Sequence, residues 1–144
     1  MKKCVFCSLP EIQDRKVAEN NLALAFLANM PIVEGHTLVI PKRCVARYED
    51  LTSEEKSAIE NLRKLLVENL KNNFGTEGFN FAWNDGEAAG QSVLHFHLHI
   101  LPRKKGDSGI YEYEPRKFLY QTSNNREVSL EEKLQKLAKK LKIN

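Results

Sequence analysis

Three of the four histidines in this 144-residue chain lie at alternate positions of one apolar segment, at His95, His97 and His99. Successive side chains of a β-strand point to opposite faces, so a strand here places all three imidazoles on one face, about 7 Å apart. The large apolar residues between them then face the core. A polar sheet face that contains histidine by chance is a weaker explanation, because histidine is otherwise scarce in the chain.

Two kinds of chemistry suit such a row of imidazoles. In the first, the rings bind one catalytic metal ion, often together with a ligand from elsewhere in the chain. In the second, one imidazole is a nucleophile, which requires its neutral form. An ordinary histidine pKa of about 6.5 and the repulsion between adjacent imidazolium charges both favour that neutral form at physiological pH. The residues alone leave both alternatives open.

A second group of potential ligands begins with Cys4 and Cys7, in the spacing Cys-x-x-Cys. No long apolar stretch follows Met1, which argues against a secretory signal peptide, and no segment is apolar for long enough to span a membrane. We therefore expect a cytoplasmic protein without a membrane partner. In a reducing compartment, an odd set of three cysteines favours metal ligation or redox chemistry over a structural disulfide.

These side chains must be positioned by elements that the hydrophobic pattern predicts. Strand-like segments cover 22–28, 36–40, 78–83 and 94–101. Capping boxes at Thr52–Glu55 and Ser129–Glu132 open helices over 52–73 and 129–142. The first two strands are expected to pair as a hairpin. Strands with a helix inserted between them indicate an α+β domain.

Composition sets further limits on function. The chain is 42% hydrophobic and 28% charged, as in an ordinary globular domain. The net charge of +3 is modest and comes largely from lysines near the C-terminus, which a solvated helix face explains. No aromatic-rich basic stripe accompanies this charge, so we expect no specific nucleic-acid binding.

The histidine segment resembles the signature of the histidine triad (HIT) family, His-φ-His-φ-His-φ-φ with φ apolar, which residues 95–101 match at every position. The similarity extends upstream through Gly35–Arg43, Asn84–Gly86 and Ala89–Val93. The pattern is closest to bacterial HIT proteins and to the dinucleoside polyphosphate hydrolase branch, to which the flanks of the triad are also similar.

This resemblance implies the HIT-like fold, an α+β architecture with a five-stranded antiparallel sheet and packed helices in a single domain. Residues 1–107 would form the HIT domain. Residues 108–144 would be a C-terminal extension of the same globular unit, ending in the helix 129–142. Family members commonly dimerise through a helix and a strand, so the resemblance also implies a homodimer.

For the active site, the resemblance implies that His97 attacks the α-phosphorus of a nucleotide and forms a nucleotidyl-histidine intermediate that water hydrolyses. His99 would contact phosphate oxygens and help to protonate the leaving group, and His36 would support the hydrogen bonds of the triad. The expected enzyme is a hydrolase or transferase of dinucleoside polyphosphates or related nucleotide conjugates. Alternatives are a nucleoside phosphoramidase, a non-catalytic nucleotide-binding regulatory protein and a zinc hydrolase built on the three histidines.

The residues that match nucleotide- or phosphate-binding positions of the family are Phe26, Asn29, Asn84, Gly90, Gln91, Ser92, Val93, His97 and His99. Gly90 permits a close approach of the backbone, so the N–H groups of residues 90–93 can bind a phosphate. Many relatives carry Asp or Asn three residues before Pro31, where this chain has Ala28. Asn29 replaces that side chain only if the backbone shifts, because neighbouring strand residues face opposite sides.

Cys4 and Cys7 also resemble the zinc-binding start of many bacterial HIT proteins. The ligands that the resemblance implies here are Cys4, Cys7, Cys44 and His95. Four protein ligands make a closed, structural zinc site, one per chain, and no organic cofactor is expected. The alternative is a pair of free thiols with Cys44 merely buried. A redox pair is disfavoured because no helix start is evident after Cys4.

Overall fold

Five strands form one antiparallel sheet in the computed structural model, which describes residues 4–107 and 130–143. The strands are β1 (Lys16–Glu19), β2 (Ala23–Leu27), β3 (Thr37–Pro41), β4 (Gly78–Ala82) and β5 (Leu98–Arg103). Their order across the sheet is β1-β2-β3-β5-β4, so β1 and β4 are the edge strands. The expected five-stranded antiparallel sheet is confirmed, and so is the hairpin of β2 and β3.

The helices are α1 (Val5–Ser8), α2 (Glu11–Asp14), α3 (Ser53–Phe74) and α4 (Glu131–Leu141). The sequence pattern does not predict α1, α2 or β1. Each of these has only four residues, too few for a strong local signal, so tertiary contacts must stabilise them. None of the described helices is long and apolar enough to cross a lipid bilayer.

Helix α3 begins at the predicted capping box. The Thr52 hydroxyl accepts a hydrogen bond from the N–H of Glu55, and the Glu55 carboxylate accepts one from the N–H of Thr52. The helix ends where Gly75 takes a left-handed conformation, with φ of 60°. Its buried apolar residues are Ala58, Ile59, Leu62, Leu66 and Leu70. Leu65, expected on the same stripe, is exposed, because Leu62 and Leu66 place the centre of the stripe to one side of it.

The two faces of the sheet pack against different elements. One face meets α3 through a cluster that includes Val39, Phe96, Leu98 and Ile100. The opposite face carries a smaller cluster of Leu24, Phe26, Leu38 and Ile40, against which Ile12 of α2 and Phe6 of α1 pack. The prediction that Phe96, Leu98 and Ile100 point into the core is confirmed. The histidines that alternate with them lie on the face that α1 and α2 cover.

The chain divides into two compact units, Met1–Ile110 and Tyr111–Asn144. Helix α4 belongs to the second unit, and its N-cap is Leu130, which makes no side-chain capping bond. Ser129, the first residue of the predicted capping box, lies outside the described residues. That residues 108–144 belong to the same globular unit as residues 1–107 stays a prediction.

Candidate active site and metal cluster

The segment that carries the triad is only partly a strand. β5 begins at Leu98, and residues 93–97 are irregular instead of forming the strand predicted from residue 94. Extending the register of β3 and β5 pairs Phe96 with Pro41, and proline has no N–H to donate to the ladder. Phe96 donates its own N–H to the carbonyl of Val45 instead, at 2.6 Å.

Backbone carbonyls fix the tautomers of His95 and His97. Nδ1 of His97 lies 2.8 Å from the carbonyl oxygen of His95, and Nε2 of His95 lies 2.7 Å from that of Pro41. A carbonyl only accepts hydrogen bonds, so each of these nitrogens carries the proton and the other nitrogen of each ring keeps its lone pair. His97 therefore presents a lone pair on Nε2, and His95 presents one on Nδ1.

His36 and His99 form a directed chain of hydrogen bonds. The backbone N–H of Ile32 donates to Nδ1 of His36 at 3.2 Å, which leaves the proton of a neutral His36 on Nε2. That Nε2 donates to Nδ1 of His99 at 2.9 Å, so a neutral His99 carries its proton on Nε2. The ring centroids of His97 and His99 are 5.0 Å apart. The structure thus brings the three predicted catalytic histidines into one cluster.

The rings of this cluster are neutral at physiological pH. Burial lowers the pKa of His36 to about 4 and that of His99 to about 3, with a smaller contribution from the neighbouring His97. Burial also lowers the pKa of His97, although its hydrogen bond to the His95 carbonyl acts in the opposite direction. A neutral imidazole with a lone pair on Nε2 is the nucleophilic form.

These pKa shifts predict how stability depends on pH. Between about pH 6.5 and pH 4 the unfolded chain holds a proton on His36 and on His99 that the folded chain lacks, so the free energy of unfolding falls as pH falls. We expect the His36→Gln variant to lose stability less steeply than the wild type, by up to about 1.4 kcal/mol per pH unit. Urea unfolding at several pH values in this window measures both slopes. Equal slopes would contradict the buried, neutral state of His36.

The three cysteines and His95 form a second cluster. The Sγ atoms of Cys4 and Cys7 lie 3.3 Å and 3.5 Å from Nδ1 of His95. With Cys44, the four possible ligand atoms lie within 4.8 Å of one another. Because Nε2 of His95 donates to Pro41, its lone pair on Nδ1 faces the thiols. Three thiols and one imidazole, so arranged, suit tetrahedral Zn²⁺.

The pKa values of the thiols reflect this crowding. Burial, together with the neighbouring thiols of Cys4 and Cys44, raises the pKa of Cys7 to about 12. Burial also raises the pKa of Cys4, but hydrogen bonds from the backbone of Cys7 and the thiol of Cys44 outweigh it, so that the net change lowers the pKa. A bound cation removes the repulsion, since a coordinating thiol is deprotonated. The cluster therefore has the donor chemistry of a metal site.

The structure contradicts two interpretations of the sequence, namely a metal site formed by the three histidines and the absence of a helix start after Cys4. The three histidines do not converge on one metal, because Nε2 of His95 bonds the carbonyl of Pro41 and its Nδ1 faces the thiols. A helix start does follow Cys4, which is the N-cap residue of α1. Phe6 of that helix packs against the sheet, and four residues contain no local pattern that would reveal the helix.

Phe6 is the site residue that the sequence pattern does not single out. Its ring lies edge-on to His97, with the centroids 5.2 Å apart, and also contacts His95 and Phe26. Phe26, expected at the nucleotide, is only 1% exposed and lies beneath Phe6. The Cys-x-x-Cys spacing is the one feature that could have indicated a position near the triad, because Phe6 stands between two cysteines that share a cluster with His95.

The loop before the triad uses Gln91 differently from the expectation. Its side-chain oxygen accepts from the N–H of Gly86 at 2.8 Å, and its side-chain nitrogen donates to the carbonyl of Ala46 at 2.8 Å. The N–H groups of Gly90 and Gln91 donate to carbonyls within the loop. In the described part of the chain, the N–H groups of Ser92 and Val93 have no backbone acceptor. Gln91 therefore ties the loop together, and the N–H groups of Ser92 and Val93 remain without a backbone acceptor there.

We expect Gln91→Ala to lower the free energy of unfolding by about 2 kcal/mol, because it removes two hydrogen bonds from buried groups. Ser92→Ala is the matched variant in the same loop. Since Ser92 is exposed, its stability should stay within about 0.5 kcal/mol of the wild type. Urea unfolding compares the two variants. If Gln91→Ala is as stable as the wild type, the structural role of Gln91 is contradicted and the predicted phosphate-binding role is favoured.

For the other residues predicted to contact the nucleotide, the structure gives their exposure and their position along the chain. Asn84 is half-buried at the end of β4, before the loop that Gln91 closes. Asn29 is exposed in the connection between β2 and β3, where Ala28 donates its N–H to the carbonyl of His36 at 2.9 Å. That Asn29 replaces the side chain expected at Ala28 stays a prediction.

A family model described as the HIT domain matches residues 9–106. An uncharacterized HIT-like protein of Mycoplasma genitalium is 37% identical over 134 residues, which are 92% of this chain and 89% of that protein. A bis(5′-adenosyl)-triphosphatase of Dictyostelium discoideum is 40% identical over 106 residues, or 67% of this chain and 71% of that protein. An adenosine 5′-monophosphoramidase of Schizosaccharomyces pombe is 37% identical over 109 residues, or 74% and 79%.

Solved structures give the same relationship. A HIT family protein of Bacillus anthracis superposes with a TM-score of 0.71 at 35% identity, covering 96% of this chain and 94% of that one. A zinc-bound histidine triad family protein of Mycobacterium smegmatis superposes with a TM-score of 0.66 at 31% identity, covering 80% and 86%. With its five-stranded sheet and its three alternating histidines, this chain belongs to the histidine triad family.

Proposed function

We propose that this chain is a nucleotide hydrolase that forms a covalent nucleotidyl intermediate on Nε2 of His97. The observation that carries the proposal is the hydrogen bond from Nδ1 of His97 to the carbonyl of His95, which leaves the lone pair on Nε2. Burial, which lowers the pKa of His97, keeps the ring neutral and therefore nucleophilic.

In the first step, a bond forms from Nε2 of His97 to the α-phosphorus while the bond from that phosphorus to the leaving oxygen breaks. The ring becomes cationic, and the carbonyl of His95 stabilises it through Nδ1–H. In the second step, water attacks phosphorus and His97 departs as the neutral imidazole. The proton of the water stays on the released nucleotide until it passes to solvent.

The hydrogen-bond chain favours a polyphosphate leaving group over an amine. His99 accepts from His36 at Nδ1, so the loss of its Nε2 proton would create an imidazolate. His36 cannot correct this, because its own Nδ1 accepts from the amide of Ile32. His99 therefore donates a hydrogen bond to the leaving group rather than a proton. A nucleoside polyphosphate departs as a stable anion, whereas an amine needs protonation.

The remaining contacts follow from the loop geometry. We assign the backbone N–H groups of Ser92 and Val93, made accessible by the turn at Gly90, to the α-phosphate. The side chains of Asn84 and Ser92 are assigned to the phosphate or leaving group, and Asn29 to the ribose. Phosphoryl transfer depends mainly on such positioning and on charge stabilisation.

Trapping the intermediate tests the proposal directly. Protein is mixed with diadenosine tetraphosphate, quenched under denaturing conditions that preserve P–N bonds, and digested for mass spectrometry. We expect adenylate on the peptide that contains His97, and none in a His97→Ala control. An adduct on another residue, or turnover that persists in His97→Ala, would contradict the covalent mechanism.

Relative turnover of two substrates tests the leaving-group argument. The relatives include both a bis(5′-adenosyl)-triphosphatase and an adenosine 5′-monophosphoramidase, so both reactions are suitable probes. We expect diadenosine tetraphosphate to have a higher kcat/KM than an adenosine phosphoramidate. A higher value for the phosphoramidate would favour the phosphoramidase alternative, and binding without turnover of either would favour a regulatory protein.

We also propose that Cys4, Cys7, Cys44 and His95 bind one structural zinc ion. The four ligand atoms lie within 4.8 Å of one another, and a relative from Mycobacterium smegmatis is zinc-bound. A site closed by four protein ligands leaves no position for water, so the ion would stabilise structure and not activate a nucleophile. The three cysteines are free thiols, which suits a reducing compartment such as the cytoplasm.

We further propose that the chain forms a homodimer through β4 and α3. β4 is an edge strand, and a groove of about 730 Å³ beside it is lined by Tyr48, Lys56, Arg63, Phe81 and Trp83, among others. Phe81 and Trp83 are both 43% exposed there. Large exposed aromatic residues beside an unpaired edge are typical of an interface.

Light scattering coupled to size exclusion tests this dimer. We expect a dimer for the wild type and a monomer for Phe81→Lys, because the charge falls within the proposed interface. Val17→Lys is the matched control, since Val17 is 42% exposed on the opposite edge strand β1. A monomeric wild type at micromolar concentration, or a Val17→Lys variant that dissociates while Phe81→Lys does not, would overturn the proposed interface.

A further inference from the structure

We propose that metal binding at Cys4, Cys7, Cys44 and His95 controls the solvent accessibility of His97 by holding Phe6 against it. This inference rests on the proposed metal site and on the proposed nucleotide site at His97. It assigns a role to α1, which precedes the residues that the HIT family model matches.

The first support is the position of Phe6. It stands between Cys4 and Cys7, and its ring is 5.2 Å from the ring of His97 and 5.8 Å from that of His95. It also lies edge-on to Phe26, at 5.4 Å, so it covers the sheet on the histidine side. His97 is only 8% exposed with this ring in place.

The second support is how little else holds α1. The helix has four residues and none of them is buried. A single helical turn is unstable by itself, because nucleation fixes several backbone angles for one hydrogen bond. Two metal–thiolate bonds, one on each side of Phe6, would fix the turn to His95. Without them, the partly buried Phe6 ring and the weak hydrogen bonds between the two thiols and His95 must hold the segment.

The third support is that His95 belongs to both clusters. Its side chain presents Nδ1 to the thiols, while its backbone carbonyl accepts from Nδ1 of His97 at 2.8 Å. The metal ligand and the proposed nucleophile are therefore two residues apart, and the Phe6 ring that the metal would hold lies against both of their rings. The expected consequence is a nucleotide site that is complete only in the metal-loaded protein.

The accessibility of His97 can be measured without any nucleotide. Full-length, zinc-loaded protein is treated with diethyl pyrocarbonate, and the labelling rate of each histidine is followed by mass spectrometry. We expect Phe6→Ala to raise the rate at His97 about fivefold to tenfold, the weight of one aromatic contact. Val5→Ala is the matched control, because Val5 lies in the same turn and is 40% exposed. It should leave the rate unchanged.

Chelation then tests the dependence on metal. In the wild type, removal of zinc should raise the labelling rate of His97 as far as Phe6→Ala does, and in Phe6→Ala it should add little. His36, buried on the other side of the triad, reports global opening and should keep its rate. An equal increase at His36 and His97 would mean general unfolding and would overturn the proposal. So would a chelation effect that is the same with and without Phe6, or no effect of either change.

Binding of AMP separates this inference from the proposed function. Calorimetry should show weaker AMP binding by Phe6→Ala and by chelated wild type than by the zinc-loaded wild type, by about fivefold or more. If AMP does not bind the zinc-loaded wild type at all, the proposed nucleotide site fails, while the labelling experiment still decides whether the metal controls Phe6. If labelling of His97 increases but AMP affinity does not change, Phe6 has no role in nucleotide binding. That result would overturn this part of the inference.

Discussion

Replacing His97 by alanine is expected to lower kcat/KM by about 10⁴-fold or more, equivalent to about 5.5 kcal/mol of transition-state stabilisation. The alanine removes the atom that bonds phosphorus, so the reaction can no longer be divided into two displacements. The fold should persist, because the sheet and its main cluster do not depend on this ring. Steady-state hydrolysis of diadenosine tetraphosphate measures the loss, with circular dichroism as the check on folding.

Two variants sharpen this prediction. His97→Gly leaves a gap of about the size of an imidazole, so added imidazole should restore part of the turnover if the ring acts as the nucleophile. His36→Gln should reduce turnover far less, because His36 only orients His99 through the bond at 2.9 Å. Turnover by His97→Ala within tenfold of the wild type would exclude the covalent mechanism. Failure of imidazole to restore turnover in His97→Gly would favour a positioning role for His97.

The alternation of the triad predicts its face correctly, and the reason is local. Phe96, Leu98 and Ile100 enter the main core as expected, so the histidines must face the other way. The irregular backbone before Leu98 is not predictable in the same manner. It depends on Pro41, a residue far away in sequence that lacks the N–H which an extended ladder would use. Residue periodicity contains no information about such a partner.

The start of α3 likewise combines a feature that the sequence predicts with a contact that it does not predict. Thr52 and Glu55 satisfy each other's backbone groups within one turn, and the sequence alone predicts the start of α3. The same Glu55 carboxylate also bonds Arg43, at 2.7 Å, which no local rule foresees. Short elements such as α1 escape prediction for the same reason, because their stability comes from contacts that only the fold creates.

Side-chain roles in the site are predictable only where the chemistry dictates the type of residue. Histidine as nucleophile and cysteine as ligand follow from their chemistry, whereas glutamine serves equally as a phosphate donor or as a bridge between loops. Gln91 acts as the bridge, since both ends of its amide bond backbone groups. The side chain of Phe6 carries no reactive or polar group, so its residue type predicts no role in the site. Only the structure shows that its ring lies against His97.

The dual use of His95 connects these observations. A histidine side chain that bonds a carbonyl at Nε2 and faces thiols at Nδ1 cannot also act on a nucleotide. Of the triad, this leaves His97 and His99 for the proposed catalytic chemistry. The backbone carbonyl of the same residue orients His97, the proposed nucleophile. A change at the metal cluster should consequently affect both stability and catalysis.

Removal of zinc is expected to lower the free energy of unfolding by about 4 kcal/mol at a metal concentration about a thousandfold above the dissociation constant. The folded chain assembles four ligand atoms within 4.8 Å, which the unfolded chain does not, so binding energy adds to folding energy. Urea unfolding of reduced protein, with and without chelator, measures the difference. A catalytic zinc would instead predict an immediate loss of turnover on mild chelation, before any unfolding.

Position 44 supplies matched variants for this test. Cys44→Ala removes one ligand and should abolish most of the chelator-sensitive stability, together with the single equivalent of bound zinc. Cys44→His should retain both, because imidazole and thiolate are both competent zinc ligands in a four-coordinate site. Cys44 is exposed, so packing contributes little to either change. Equal stability of Cys44→Ala and Cys44→His, each insensitive to chelator, would exclude the metal site, because the two side chains differ here chiefly in their ability to bind a cation.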